Sequence, residues 1–423
     1  MTKNKSKPKG SLLAALDIGS SKVVCFIGRV VDDRGGFEIL GVGHHPSRGV
    51  KNGTITDLSA VEGVIRQTVH AAENMAAEVM KGYPLREVVV NLPGVHALSH
   101  GHTADVQVHG HEITNSDVNR ALAKAQEQVL SDEYELVHTI PVNYRIDGHE
   151  GITQPRGMVG EDLSVDIHLV TGEMAALKNI AHTIEASHLD ITALCLSSYA
   201  AGLACLVEDE MDLGCTLIDI GGGVTSFAVF QNGQMLYSDA VPIGGHHITS
   251  DIAKGLTTSM QDAERLKALY GNAMASHLDE SELIDVPRLG EEEHSEPNHV
   301  PRSMLVGIMQ PRIEEIFEMV RAKLNDCGLG SLIGRRVVLT GGSSQIAGMK
   351  DLAEHVLDKQ VRLGRPIRLT GLPDAVSGPS FATTAGLLTY IAERSDEMPA
   401  QIMTHLEPGS VWERLKHWLH ENW

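Results

Sequence analysis

LLAALDIGSSKVVCFIG, residues 12–28, and TLIDIGGGVTSFAVFQNG, residues 216–233, follow one plan. Each is an apolar run, then Asp-Ile-Gly with small residues, then a second β-rich run. That is the pattern of a β-hairpin whose tight turn is built from Gly, Ser and Thr. The two aspartates, Asp17 and Asp219, stand 202 positions apart. The chain therefore reads as two similar α/β halves.

The turn chemistry gives a reason for such residues to recur. Gly19, Gly221, Gly222 and Gly223 let backbone N–H groups approach an anion with no Cβ in the way. Ser20, Ser21 and Thr225 add hydroxyl donors, and Lys22 adds a point charge for a phosphate. Asp17 and Asp219 are placed to hold Mg²⁺ through its waters, since that ion dehydrates reluctantly. Either hairpin alone reads equally as a plain tight turn in a sheet. Their pairing across two halves favours a polyphosphate gripped from both sides. A third segment, RRVVLTGGSSQIAGM (335–349), is a buried-type strand, a turn Gly341-Gly342-Ser343-Ser344, and then a helix. A Gly-Gly turn opening a helix lets a base or ribose lie against the backbone. Neither GxGxxG nor GxxxxGK[ST] is present, which excludes the dinucleotide fingerprint and the P-loop.

With 423 residues, 42% hydrophobic and 21% charged, the chain has the composition of a globular protein of two or more domains. Its net charge of −20 argues against a general nucleic-acid binder and against electrostatic attraction to an anionic membrane. No apolar run approaches the ~18 residues of a spanning helix. The five cysteines are dispersed without a CxxC pair, the pattern of reduced thiols. The stretch HALSHGHTADVQVHGHE carries His96, His100, His102, His109 and His111 without an acidic or cysteine partner set, so a solvated loop is expected rather than a metal site. His246 and His247 read as structural or incidental.

The end of the chain has its own character. All three tryptophans, Trp412, Trp418 and Trp423, fall in SVWERLKHWLHENW, residues 410–423. At about 100° per residue they share an arc of roughly 140° with Val411, Leu415 and Leu419, with polar residues filling the rest of the circle. Such a helix suits either a membrane surface or a dock on the protein's own core. The preceding RSDEMPAQIMTHLEPGS, residues 394–410, has the composition of a flexible tether, which favours the membrane.

The two hairpins and the 341–344 turn resemble the phosphate 1, phosphate 2 and adenosine loops of the actin, Hsp70 and sugar-kinase superfamily. LSSYAAGLACL (196–206) and SFATTAGLLTY (380–390) sit where that superfamily places its interdomain connecting helices. The resemblance also implies Glu264 and Lys267 as adenine or ribose contacts; the alternative is an ordinary charged helix face. ELVHTIPVNYRIDG with PRGMVG, VPIGGHHITSDIAKGL, IMQPRIEEIFEMV and the amphipathic end resemble, in order along the chain, the FtsA family of cell-division actin homologues.

That resemblance implies an actin-like two-domain α/β ATPase fold with duplicated halves. Subdomain 1A would take residues 10–86 with 166–210 and 374–393, and an inserted subdomain 1C residues 87–165. Subdomain 2A would take 211–248 with 331–373, and 2B 249–330. A linker (394–410) and a membrane-targeting amphipathic helix (411–423) would follow. The implied protein binds ATP and Mg²⁺ and polymerises on the cytoplasmic face of the inner membrane at the division site. There it is peripheral, anchors filaments of the tubulin homologue FtsZ through the region of Arg312 and Glu315, and recruits later division proteins. Two features depart from the family pattern. The tail is near neutral where such tails are usually basic. The first connecting helix has no Gln near Ser197–Ala201, where conventional actins orient the attacking water, so slow or absent hydrolysis is expected. The rival reading is an ATP-dependent sugar or small-molecule kinase of the same superfamily.

Overall fold

Each of the two echoing stretches forms the hairpin that its pattern predicts. A computed structural model describes residues 8–31, 36–129, 131–290, 297–367, 369–371, 374–394 and 397. Strands β1 (Leu12–Ile18) and β2 (Lys22–Val30) pair antiparallel, and β3 (Phe37–Pro46) pairs with β2. Helix α1 (Leu58–Met75) starts at Asp57, whose carboxylate accepts from the Ala60 N–H at 3.0 Å. It buries Val61, Val64, Ile65, Thr68, Val69 and Ala72, the spacing of one helical face. Strand β4 (Glu87–Leu92) returns parallel to β1.

The chain then builds a separate four-stranded sheet from β5 (Ala97–Gln107), β6 (Tyr134–Ile146), β7 (His149–Ile152) and β8 (Asp162–Glu173), in the order β5-β8-β6-β7. Helix α2 (Asn115–Gln126) covers it, and at its start the Asp117 carboxylate accepts from the Thr114 N–H at 2.9 Å and the Thr114 hydroxyl at 2.7 Å. Strand β9 (Asp190–Leu196) lies parallel to β4 and leads into α3 (Ser197–Cys205).

The second half repeats the plan with β10 (Cys215–Ile220), β11 (Thr225–Gln231), β12 (Gln234–Val241), β13 (Arg336–Thr340) and β14 (Gln360–Leu363). Its order, β12-β11-β10-β13-β14, is the order β3-β2-β1-β4-β9 of the first half. Between β12 and β13 come α4 (Gly245–Leu256), α5 (Met260–Tyr270) and α6 (Arg302–Asp326). Helix α7 (Ala382–Glu393) closes the described body against α3. Each sheet has an apolar cluster on its outer face, and a third cluster, holding α3 and α7, fills the space between the sheets.

The two small-residue helices cross as closely as their composition allows. All nine residues of α3 are buried. A Cβ at Gly386 of α7 would fall inside the Ala200 carbonyl of α3, so only glycine fits.

Pairing moves the boundaries of the insertion. Glu87–Leu92 belongs to the first-half sheet, and β8 runs unbroken to Glu173, so the insertion spans Gly94 to Glu173 rather than 87–165. HLVT, residues 168–171, resembles a main-sheet strand because this end of β8 is buried continuously, whereas its start alternates between buried and open positions. The histidine stretch is also corrected. Most of it is the edge strand β5, paired with β8 from Ala97 to Gln107, and not a loop. Among the described residues no cluster of His, Cys, Asp or Glu could hold a metal ion.

The insertion springs from the first half yet rests on the edge strand of the second. Ser99 Oγ donates to His168 Nε2, and His168 Nδ1 donates to the Met235 carbonyl at 3.0 Å. The Ser238 N–H donates to Ser99 Oγ at 3.1 Å. Burial pushes the His168 imidazole down to about 4, which keeps it in the neutral form this pattern requires.

Of the five cysteines, Cys25, Cys195, Cys205 and Cys215 are buried and only Cys327 is partly open; none is bonded to another. Among the described residues no helix is long and apolar enough to cross a membrane. Residues 398–423, with Val411, Trp412, Leu415, Trp418, Leu419 and Trp423, lie outside the described residues. The tether expected from 394 is anchored at its start. Arg394 pairs with Glu397 at 3.0 Å, and the Glu397 carboxylate also accepts from the Tyr199 hydroxyl.

Substitution Gly386→Val is expected to destabilise the fold by about 3 kcal/mol through overpacking at the crossing. Gly63→Ala in α1, where a Cβ meets nothing within 4 Å, should stabilise by roughly 0.5–1 kcal/mol. Denaturant titration of both variants tests the contrast.

Candidate functional site

The two hairpin turns close in the same way: Gly19 N–H donates to the Lys22 carbonyl at 3.0 Å and Gly221 N–H to the Val224 carbonyl at 2.9 Å. They face each other across a cleft of about 680 Å³ between the halves, within the usual range of small-molecule sites. The cleft is lined by Gly19, Ser20, Ser21 and Lys22 from the first turn and Gly221, Gly222 and Gly223 from the second. Lys22 has Val224 as its counterpart in the second turn, so one cation serves both.

Asp17 and Asp219 lie at the cleft floor near the ends of β1 and β10. Two neighbouring residues at the start of α7 hold them. Thr384 Oγ1 donates to Asp17 Oδ2 at 3.3 Å, and Thr383 Oγ1 to Asp219 Oδ2 at 3.1 Å. Burial, reinforced by the charge of Asp219, raises the Asp17 carboxyl to about 7 against the pull of Lys22. Burial raises Asp219 to about 6. Burial also lowers the Lys22 ammonium to about 8, although both carboxylates favour its charged form. That ammonium sits 3.4 Å above the centre of the Phe381 ring. Two crowded carboxylates beside one lysine make a donor set suited to a hard, hydrated cation.

The opposite end of the cleft is built by α4, α5 and the turn after β13. Gly245 N–H and His246 N–H at the start of α4 donate to the carbonyls of Gly221 and Gly222 at 2.9 and 2.7 Å, fixing the second turn. Lys267 Nζ reaches Gly245 O at 3.1 Å, Thr249 Oγ1 at 2.8 Å and Glu264 Oε2 at 2.7 Å. Burial alone would raise the Glu264 carboxyl, but Lys267 and the Thr249 hydroxyl hold it below its ordinary value. Gly341 has φ +87°, and a Cβ there would overlap Asp219 Oδ1. Gly342 and Ser343 line the cleft, and Ser343 Oγ donates to Gly221 O at 3.3 Å.

Two expected contacts are not in the cleft wall. Thr225 is fully buried on β11 with its hydroxyl donated to the Ile243 carbonyl at 2.8 Å. Ser344 is fully buried with its hydroxyl on the Gly341 carbonyl at 2.8 Å. Both stabilise the turns from behind. Arg312 and Glu315 lie on α6 outside the cleft and pair with each other. Arg312 Nε also donates to Asp251 Oδ2 of α4 at 2.6 Å, so the guanidinium clamps two helices. Several lining residues escaped the sequence reading: Thr383, Asn91 and Ser197. His246, expected to be structural or incidental, lines the cleft as well. Asn91 Oδ1 accepts from Ile18 N–H at 2.7 Å, and its amide donates to Ser197 Oγ at 3.2 Å.

Comparison with known proteins decides the family. Residues 216–386 match the family model for the cell division protein FtsA, and residues 94–171 match that for the SHS2 domain inserted in FtsA. The cell division protein FtsA of Rhizobium meliloti (strain 1021) is 40% identical over 98% of this chain and 95% of its own length. The chain belongs to the FtsA family. The FtsA proteins of Pseudomonas aeruginosa and Escherichia coli (strain K12) are 35% and 33% identical, over 99% and 96% of this chain and 99% and 97% of theirs. The solved PilM-PilN type IV pilus biogenesis complex contains a chain that matches with a TM-score of 0.64 and 16% identity, covering 91% of this chain and 99% of that one. MreB5 of Spiroplasma citri, solved bound to ADP, matches with a TM-score of 0.53 and 14% identity, covering 95% and 100%. These likenesses show an actin-like fold, and the FtsA insert coincides with the four-stranded sheet. This FtsA-family chain thus has a role in cell division.

A carboxyl that ionises near 3.8 when unfolded but near 7 in the fold does not oppose folding below pH 4 and opposes it increasingly up to pH 7. Asp17→Asn should therefore stabilise the protein, free of nucleotide and divalent cation, by about 1–3 kcal/mol at pH 8, allowing for water in the cleft. The gain should shrink toward zero near pH 4. Denaturant titrations at the two pH values check it; an equal gain at both would assign the effect to packing.

Proposed function

We propose that this chain is an ATP-binding, membrane-recruited scaffold of the division site, with slow or absent hydrolysis. The observation that carries the nucleotide reading is the pair of matching turns, each with its carboxylate, closing on one cleft with Lys22 between them. In this reading the turns at Gly19–Lys22 and Gly221–Gly223 cradle the phosphates and Lys22 leaves the Phe381 ring for a phosphate oxygen. Asp17 and Asp219 hold Mg²⁺ through its waters. Glu264, Lys267 and the Gly341–Ser343 turn receive the adenosine. The ADP in MreB5 of Spiroplasma citri is in keeping with this.

Slow turnover follows from what surrounds the phosphate position. Ser197 heads the first connecting helix, and its hydroxyl is engaged, donating to the Leu92 carbonyl at 3.0 Å. Ser198, the next residue, has its hydroxyl paired with Ser238 Oγ at 2.9 Å. With no Gln between Ser197 and Ala201, the head of that helix offers no amide to orient water for attack.

The scaffold part of the reading rests on family membership and on the amphipathic segment 411–423. Monomers assemble end to end on the cytoplasmic face of the inner membrane, anchor FtsZ filaments near Arg312 and Glu315, and recruit later division proteins. For FtsZ, an acidic peptide group meets Arg312 already paired with Asp251, so it joins that cluster rather than binding a free cation. One tail half-buries a few apolar side chains against the entropy of ordering a dozen residues, so it binds weakly. A row of tails along a polymer converts weak tethers into firm attachment.

Calorimetric titration of Lys22→Met should show ATP affinity reduced about 10- to 100-fold, the loss of one charge-assisted phosphate contact, with adenosine affinity unchanged. Equal binding of ATP by the variant and the parent protein would remove the phosphates from this cleft. In co-sedimentation with vesicles, only the full chain should pellet, more so with MgATP, and a truncation after Gly409 should stay in solution. Phosphorylation of a sugar by MgATP would favour a kinase instead.

A further inference from the structure

A second cavity, of about 460 Å³, lies at the foot of the first-half sheet and shares no lining residue with the cleft. Its walls come from the start of β1, the segment after α1 and the last turn of α7. Leu13, Val79, Met80 and Ile391 are its apolar lining, and Lys81, Arg86 and Glu87 also border it. Tyr83 and Leu12, 77% and 44% exposed, also line it. A cavity bordered by large exposed apolar side chains is a surface awaiting a partner.

The course of the chain names the partner. Ile391 sits two residues before the end of α7, and Glu397 is pinned to Tyr199 and Arg394. The described chain therefore ends within about two helical turns of Ile391, where Arg394 also binds Gln234 and the Gly233 carbonyl of the second half. Val411 is 14 residues beyond Glu397. That tether spans about 20 Å as a coil and at most about 50 Å when extended, enough to turn back on the same face. The segment it carries has three tryptophans, two leucines and a valine that share one arc as a helix. The segment MTKNKSK, residues 1–7, has Met1 as its one large apolar side chain and does not match an apolar wall.

We propose that residues 411–423 dock their tryptophan face on this cavity of their own chain when no lipid surface is at hand, so that self-docking and membrane attachment compete for one apolar stripe. A tether of this length sets an effective concentration on the order of millimolar. An intrinsic Kd of about 0.1 mM then keeps roughly nine-tenths of the tails docked, and vesicle binding is weakened about tenfold relative to an uncapped tail. The cap covers the tryptophans in the dissolved protein and yields to a membrane.

The full chain supplies its own probe, because every tryptophan lies in the segment concerned. Selective tryptophan excitation without lipid should give emission that is blue-shifted and shielded from iodide, compared with a synthetic 411–423 peptide in buffer. The shielding should not change on dilution. Tyr83→Asp and Leu12→Asp, both at exposed positions, should each restore peptide-like exposure, with the melting curve by circular dichroism confirming an intact fold. Both should also bind vesicles of phosphatidylglycerol and phosphatidylethanolamine about tenfold more tightly. The vesicle arm rests on the membrane reading above; the fluorescence arm does not, so the two can fail separately. The proposal is overturned if the wild-type tryptophans are as exposed as in the peptide. It is equally overturned if shielding survives both substitutions, which places the tail elsewhere, or grows with protein concentration, which places it on a second copy.

Discussion

The two halves meet through a contact that only backbone can make, where α7 rests on α3 at Gly386 against the Ala200 carbonyl. Any side chain there would push the helices apart and, with them, the sheets they separate. Because the crossing is tight, the first turn of α7 is driven to the floor of the cleft. Its consecutive hydroxyls, Thr383 and Thr384, then reach one aspartate from each half. One helix end thus holds both copies of a duplicated motif. Phe381, just before that helix, supplies the ring beneath Lys22.

The cleft is electrostatically strained in proportion to its use. Burial raises both carboxyls, and the proximity of Asp219 raises Asp17 further. One buried ammonium offsets this in part. In a chain of net charge −20 such a pair is tolerated because protons or cations can relieve it. Thr225 and Ser344, behind the turns, have their hydroxyls satisfied by backbone carbonyls instead. The pair of raised carboxyls marks the candidate site.

The features legible in the sequence were those decided locally. The hairpins declared themselves because apolar runs and Gly-rich turns act over a few residues. The crossing helices were legible through their small residues. Relations set by pairing or by distant contacts were not. The apolar strands Glu87–Leu92 and HLVT (168–171) are alike in composition, and only their partners place one in the main sheet and the other in the insertion. The histidine run is polar on its outward positions, as an edge strand is, which its composition disguises as a loop. Thr383 and Thr384 pass as packing residues in SFATTAGLLTY. Their signal, two hydroxyls at the start of a buried helix, has meaning only once Asp17 and Asp219 are known to lie beneath them. The clamp at Arg312 has no local signal because its partner Asp251 is 61 residues away.

The buried thiols give the fold an internal clock. Burial pushes Cys25, Cys205 and Cys215 up to about 12, so at neutral pH they are neither charged nor accessible to an electrophile. Cys25 lies in the first hairpin, Cys205 at the end of the first crossing helix and Cys215 at the start of the second hairpin. Each can be alkylated only while its own neighbourhood is open, whereas Cys327 is partly open at all times. The order in which they react therefore ranks the local opening free energies of the two halves and the crossing between them.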